Sequence, residues 1–214
     1  LMGKNTVIIA NMAGSTADGY REVAEKLDRT DVPMIEVNIS CPNVKCGGLT
    51  FGTQPKMVEE VVSAAKAVAK KPLIVKLTPN VTDIAEIARA AVSAGADALS
   101  LINTLLGMRI DVESRRPILS NIMGGLSGPA VFPVAVRMVY QVRQAVDVPI
   151  IGMGGIRTGR DIVEMMLAGA NAVAIGTACF ADPMAPIKAL HELDAFCDSH
   201  GIKSVTELTG AVRL

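Results

Sequence analysis

The chain has 214 residues, half of them hydrophobic and a fifth charged, and its 21 Lys and Arg balance its 21 Asp and Glu for a formal net charge of zero. That length suits one domain, spanning 1–214, with a sizeable core, and the charge balance leaves no overall field to draw the chain to nucleic acid or anionic lipid. The apolar stretches are short and broken by Gly, Asn, Asp or Lys, and none reaches the ~20 residues that span a bilayer. With no signal-peptide pattern ahead of the first strand-like run, a cytoplasmic location is expected. Four cysteines without short paired spacing, together with two histidines, suggest neither a disulfide framework nor a metal site.

Short β-rich runs alternate with longer helical patterns along the chain. Val7–Asn11 reads as a strand and Thr16–Asp28 as a helix; Met34–Ser40 and Pro55–Ala69 repeat the pair, as do Leu73–Thr78 and Thr82–Ala94. Ala98–Asn103 is a fourth strand, followed by Leu105–Gly128, the longest irregular stretch. The pattern then resumes with helix Pro133–Ala145, strand Pro149–Met153, helix Gly159–Ala168, strand Ala172–Gly176, and helices Pro183–Ser199 and Ser204–Ala211. Repeated strand–helix units predict a parallel sheet with helices packed outside it. Side-chain parity narrows the choice. Ile35, Val37 and Ile39 share one face of their strand, while Glu36, Asn38 and Ser40 share the other. A doubly wound sheet wants both faces apolar, whereas a barrel can direct polar side chains inward near its carboxyl mouth. The expected fold is therefore an α/β (β/α)8 TIM barrel. Such a barrel needs eight strands, and the runs here number six, so strands one and two of the barrel are expected to be absent from the N-terminal side. Leu105–Gly128 is placed at the mouth as an irregular insertion.

Two glycine-bearing segments follow consecutive strands: Gly152-Met153-Gly154-Gly155-Ile156 and Gly176-Thr177-Ala178. Loops after the last two strands of barrel enzymes often hold a phosphate, because glycine lets backbone N–H groups approach the anion without a Cβ in the way. Tight strand–helix turns would also use glycine here, and the pattern alone does not name a ligand.

The most informative segment runs from strand into loop: Glu36-Val37-Asn38-Ile39-Ser40-Cys41-Pro42-Asn43-Val44-Lys45-Cys46-Gly47-Gly48. It resembles the class 1 dihydroorotate dehydrogenases, and more narrowly the catalytic subunit of their NAD-dependent, heteromeric subclass. The resemblance extends through Val75-Lys76-Leu77-Thr78-Pro79-Asn80, Ile102-Asn103-Thr104, Gly124-Gly125-Leu126-Ser127-Gly128-Pro129 and both glycine segments. It implies FMN-dependent oxidation of dihydroorotate to orotate in pyrimidine biosynthesis. Cys41 would remove the proton from C5 of the substrate while hydride leaves C6 for the flavin. A thiol suits the role where its pKa, ordinarily about 8.5, is approached or lowered. Cys46 is expected to be a loop thiol, and Cys179 and Cys197 packing residues.

The same resemblance places Asn38 near both flavin and substrate, and Asn43, Asn103 and Thr104 at the substrate. Asparagine both donates and accepts, which fits a uracil-like ring. It places Asn11, Lys76, Ile102, Gly128, Gly154, Gly155, Gly176 and Thr177 around FMN. A lysine between Val75 and Leu77 is costly to bury unpaired, and a fixed ammonium there would stabilise charge developing on the flavin. Electrons would leave through a partner subunit carrying FAD and a [2Fe–2S] cluster, on a homodimeric core within a heterotetramer. This chain carries neither a dinucleotide fingerprint nor cluster-like cysteine spacing.

Two alternatives stand beside that reading. One is a barrel of the dihydropyrimidine dehydrogenase type, disfavoured by Asn43 and by the Gly47-Gly48…Phe51-Gly52 continuation. The other is an inactive flavin- or phosphate-binding fragment, since an early lysine and a glycine-leucine-asparagine loop of the family have no counterpart here. The fumarate-using subclass usually carries Pro-Gly-Lys-Pro where this chain has Lys45-Cys46-Gly47-Gly48. The membrane class uses a serine base rather than a cysteine.

Overall fold

The computed structural model describes residues 6–40 and 51–213. Its frame is one parallel sheet of six strands: β1 (Ile9–Met12), β2 (Met34–Asn38), β3 (Leu73–Lys76), β4 (Ala98–Leu101), β9 (Ile150–Met153) and β10 (Ala172–Ala174). The order is β1-β2-β3-β4-β9-β10, so sequence neighbours in the repeating pattern are also neighbours in space. Helices α1 (Ala17–Asp28), α2 (Pro55–Lys66), α3 (Ile84–Ser93), α4 (Phe132–Arg143) and α5 (Gly159–Leu167) connect the strands, and α7 (Ala185–His200) packs beside α5. This is the arrangement of a partial TIM barrel, as the strand parity predicts. Among the described residues β1 and β10 each pair on one side only. No helix among these residues is long and apolar enough to cross a membrane.

Local chemistry sets the helix starts. Thr16 caps α1 by accepting from the Gly19 N–H at 3.0 Å, and Asp83 caps α3 by accepting from Ala85 and Glu86. Thr158 and Asp161 form a reciprocal capping box at α5. The exits of α3 and α5 share a device. Gly95 and Gly169 turn the chain at φ +103° and +127°, and the Asx residue two positions later reaches sideways to the preceding strand of the sheet. Asp97 Oδ2 accepts from the Leu73 N–H at 2.8 Å, and Asn171 Oδ1 accepts from the Ile150 N–H at 2.9 Å. Burial alone would raise the Asp97 carboxyl, but the Lys66 ammonium at 2.7 Å and the Leu73 N–H outweigh it and hold the group below the usual carboxylate range.

The core lies between the sheet and the helices. Ile35, Val37, Leu73, Val75, Leu99 and Ile150 point outward from the strands and are fully buried against Val58, Val61 and Val62 of α2, Ile87 of α3, Val139 and Val142 of α4, and Met165 of α5. The opposite parity faces inward: Glu36, Asn38 and Lys76 are partly exposed there.

Two sequence expectations are corrected. Leu105–Gly128 is not irregular: β5 (Leu105–Met108) pairs antiparallel with β8 (Met123–Leu126), and beyond them β6 (Ile110–Asp111) pairs with β7 (Arg116–Pro117). The glycine content of these strands conceals the pattern, yet Gly107 and Gly124 face each other and need no side chain to pair. At the C-terminus, Ser204–Ala211 is not a helix but a single 3-10 turn over Val205–Leu208. Its capping box of Ser204 and Glu207 starts a helix that Thr209, in extended backbone, and Gly210 at φ +71° then stop.

Candidate active site

The carboxyl ends of β2, β3, β4, β9 and β10 converge on a cavity of about 590 Å³, within the range typical of small-molecule sites. Two chemically distinct walls define it.

The polar wall comes from the inward faces of β1 to β4. Register sets Asn11 beside Glu36, and sets Asn38, Lys76 and Ser100 side by side on three successive strands. Their side chains form one network. Ser100 Oγ donates to Glu36 Oε1 at 2.6 Å, the Asn11 amide donates to Glu36 Oε2, and the Lys76 ammonium lies 3.7 Å from that oxygen. The Lys76 and Glu36 side chains are 20% and 12% exposed, so this is a largely desolvated ion pair lining the cavity. The inward lysine is therefore not unpaired.

Next to it stands a cluster of amides and hydroxyls. Asn38 Oδ1 accepts from the Ser40 N–H at 3.2 Å and the Ser40 hydroxyl at 2.9 Å, and the Asn103 amide donates to Ser40 Oγ at 2.7 Å. Asn103 Oδ1 accepts from the Thr104 N–H at 2.8 Å. The Tyr20 hydroxyl donates to the Asn38 carbonyl at 2.8 Å, tying the end of β2 to α1. Asn80 donates to the Thr104 carbonyl and accepts from the Leu106 N–H, which joins the loop after β3 to the insertion. Asn103, Thr104 and Ile102 line the cavity, while Asn11 and Asn38 stand behind its wall through the bonds given above. Cys41, Asn43 and Cys46 lie outside the described residues. Cys41 is next in sequence to Ser40, whose fully buried side chain belongs to the amide cluster.

The second wall is built of glycine. Gly128, Gly154, Gly155 and Gly176 line the cavity with Thr177, which precedes the short helix α6 (Ala178–Ala181). Gly154 and Gly155 need their glycines, at φ +126° and +82°, with Ala135, Ile102, Phe132 and the Gly128 carbonyl crowding the positions of a Cβ. Gly176 and Gly128 differ: a Cβ on either would meet nothing within 4 Å. At Gly176, which lacks a positive φ, what a side chain would occupy is open space at the cavity wall. That is the shape of a cradle in which backbone N–H groups approach an anion directly. The cavity thus joins a glycine-lined end to an end that carries the Lys76–Glu36 pair, Asn103 and Thr104.

The sequence-derived residues that are described here come together around this one cavity. Sequence reasoning passed over Glu36, Ser100 and Asn80. For Glu36 the signal was present, since it shares inward parity with Asn38. Ser100 could be found only from the register of two strands away. Cys179, expected to be a packing residue, is half-buried and contacts the Ile175 carbonyl at 3.8 Å. Cys197 is half-buried against the core, and its burial together with the nearby Asp194, Asp198 and Glu207 carboxylates pushes its thiol up.

Comparison with known proteins agrees with this architecture. Residues 2–197 match the family described as dihydroorotate dehydrogenase. The chain is 61% identical over 208 residues to a protein of Alkaliphilus metalliredigens named dihydroorotate dehydrogenase B (NAD(+)), catalytic subunit, covering 97% of this chain and 69% of that one. It is 56% identical over 215 residues to a protein of the same name from Geobacter sp. strain M21, covering 100% of this chain and 70% of the relative. Among solved structures, a dihydroorotate dehydrogenase from Eimeria tenella in complex with ferulenol superposes with a TM-score of 0.82 at 25% identity, over 98% of this chain and 63% of that one. The chain therefore spans about two thirds of the length of the proteins it matches.

Proposed function

Because this chain belongs to the dihydroorotate dehydrogenase family, oxidoreductases that convert dihydroorotate to orotate in pyrimidine biosynthesis, we propose that its cavity is the site of that oxidation. The observation that carries the proposal is one cavity of sufficient volume lined by Glu36, Lys76, Asn103 and Thr104 on one side and by Gly128, Gly154, Gly155 and Gly176 on the other. FMN, held with its phosphate at Gly154, Gly155, Gly176 and Thr177, supplies the hydride acceptor. Asn11, Lys76, Ile102 and Gly128 complete its surroundings. Asn38, Asn43, Asn103 and Thr104 bind the substrate: the three asparagine amides donate to and accept from its ring, and Ser40 fixes the orientation of Asn38 and Asn103 at 2.9 and 2.7 Å. Cys41 takes the C5 proton.

Turnover tests the proposal directly. The purified protein should reduce an artificial electron acceptor with dihydroorotate and not with dihydrouracil. Preference for dihydrouracil would instead support a barrel of the dihydropyrimidine dehydrogenase type, and bound flavin without turnover of either would support a binding module.

Lys76 yields a second expected result. Lys76→Ala should weaken flavin binding by about tenfold, the equivalent of ~1.4 kcal/mol, or slow flavin bleaching by dihydroorotate, while changing orotate affinity less. Flavin absorbance and fluorescence titrations read both quantities. Unchanged flavin affinity and bleaching rate would remove Lys76 from the site.

The relatives are named as catalytic subunits of NAD(+)-linked enzymes, and we extend to this chain a partner that carries electrons onward. We propose a cytoplasmic heterotetramer on a homodimeric core, with FAD and a [2Fe–2S] cluster on the second subunit. Purification from the native source should recover that subunit, and efficient NAD reduction by the catalytic chain without any companion would refute it.

A further inference from the structure

The role proposed for Lys76 leaves its neighbour unexplained. Glu36 accepts hydrogen bonds from two strands, from Asn11 on β1 and from Ser100 on β4 at 2.6 Å, and pairs with the Lys76 ammonium of a third, β3, at 3.7 Å. Its side chain is only 12% exposed and lines the cavity together with that of Lys76. A carboxylate in this position does two things at once. It holds the ammonium at the cavity wall, and it offsets part of the positive potential that the ammonium projects inward, where low solvent exposure leaves both charges weakly screened.

We infer that Glu36 is a positioning residue that sets the electron affinity of the cofactor by restraining Lys76 and partly neutralising it. The inference rests on the flavin reading given above. Were Glu36 needed only for hydrogen bonding and volume, glutamine would replace it with little effect on electron affinity, its oxygen accepting from Asn11 and its NH2 donating to a Ser100 hydroxyl that reverses its role. Were its charge the point, glutamine would unmask Lys76 and favour the electron-rich state of whatever the cavity holds.

Reductive titration of the flavin bound to the purified holoenzyme, followed by absorbance, separates the two. Glu36→Gln should raise the ratio of reduced-flavin to oxidised-flavin binding by about tenfold, which for a two-electron couple is about 30 mV upward. Lys76→Met should shift the ratio by a similar factor downward, and the Glu36→Gln/Lys76→Met double variant should return to within about threefold of the wild type. Should Glu36→Gln fail to fold, Ser100→Ala gives the same reading with opposite sign. Loss of the hydroxyl donor leaves the carboxylate's negative field stronger and should lower the ratio by about threefold. A Glu36→Gln potential that is unchanged or lower, or in its absence a Ser100→Ala potential that is unchanged or higher, overturns the inference while leaving the flavin site standing. A wild-type protein that binds no flavin overturns both.

Discussion

Replacing Cys41 with alanine should lower dihydroorotate oxidation by about 10²–10⁴-fold, the range expected when a general base is removed, and should leave the flavin bound. The argument comes from what surrounds that position in the sequence. Cys41 follows Ser40, and Ser40 is locked between Asn38 and Asn103 by hydrogen bonds of 2.9 and 2.7 Å. Those are two of the amides that we propose read the substrate ring. None of the flavin contacts proposed here involves Cys41, so affinity for the cofactor and activity should separate. Anaerobic mixing with dihydroorotate, monitored by flavin bleaching, measures the affected step. The wild-type rate should also rise with pH toward the ordinary thiol value of about 8.5 as the thiolate forms, and that rise should vanish in the variant. A Cys41→Ala protein that keeps most of the wild-type bleaching rate assigns the base elsewhere.

The parts of this molecule legible in its sequence are those in which one local rule decides. Strand parity in Met34–Asn38 separates the buried Ile35 and Val37 from the inward Glu36 and Asn38, because a two-residue repeat cannot place both sets on one face. The Gly-Ala-Asx turns announce helix exits, because only glycine adopts the φ values found at Gly95 and Gly169 without strain. Less legible were features that depend on which strand lies beside which. The Glu36–Ser100 bond joins residues 64 apart in the chain and spans two intervening strand boundaries, so no periodicity foretells it. The β5–β8 and β6–β7 ladders lacked β-rich composition. They form because hairpin pairing satisfies backbone groups that an irregular insertion would leave to solvent. The residue roles themselves rest on the motif resemblance, since Asn43 and Asn103 in isolation read as turn residues more readily than as ligands.

The two glycine loops should answer the same substitution in opposite ways. At Gly155 the backbone has φ +82°, and a Cβ would stand 2.8 Å from the Gly128 carbonyl oxygen, 2.8 Å from Phe132 Cβ and 3.0 Å from Phe132 N. Forcing an L-residue into left-handed backbone costs about 1–2 kcal/mol, and overpacking adds about 1–3 kcal/mol. Two of the three neighbours are main-chain atoms that cannot rotate away. Gly155→Ala should therefore lower the thermal midpoint by on the order of 10 °C, given about 2–4 °C per kcal/mol for a domain of this size. At Gly176 there is no left-handed backbone and no atom within 4 Å of the new Cβ. Gly176→Ala should accordingly leave the stability of the flavin-free protein within about 0.5 kcal/mol of the wild type. Its methyl group would instead occupy the space through which we propose the backbone meets the phosphate, so FMN affinity should drop by about tenfold or more. Calorimetry of the flavin-free proteins, paired with fluorescence titration by FMN, measures both effects. Full FMN affinity in Gly176→Ala would mean that the loop after β10 makes a tight turn and holds no phosphate.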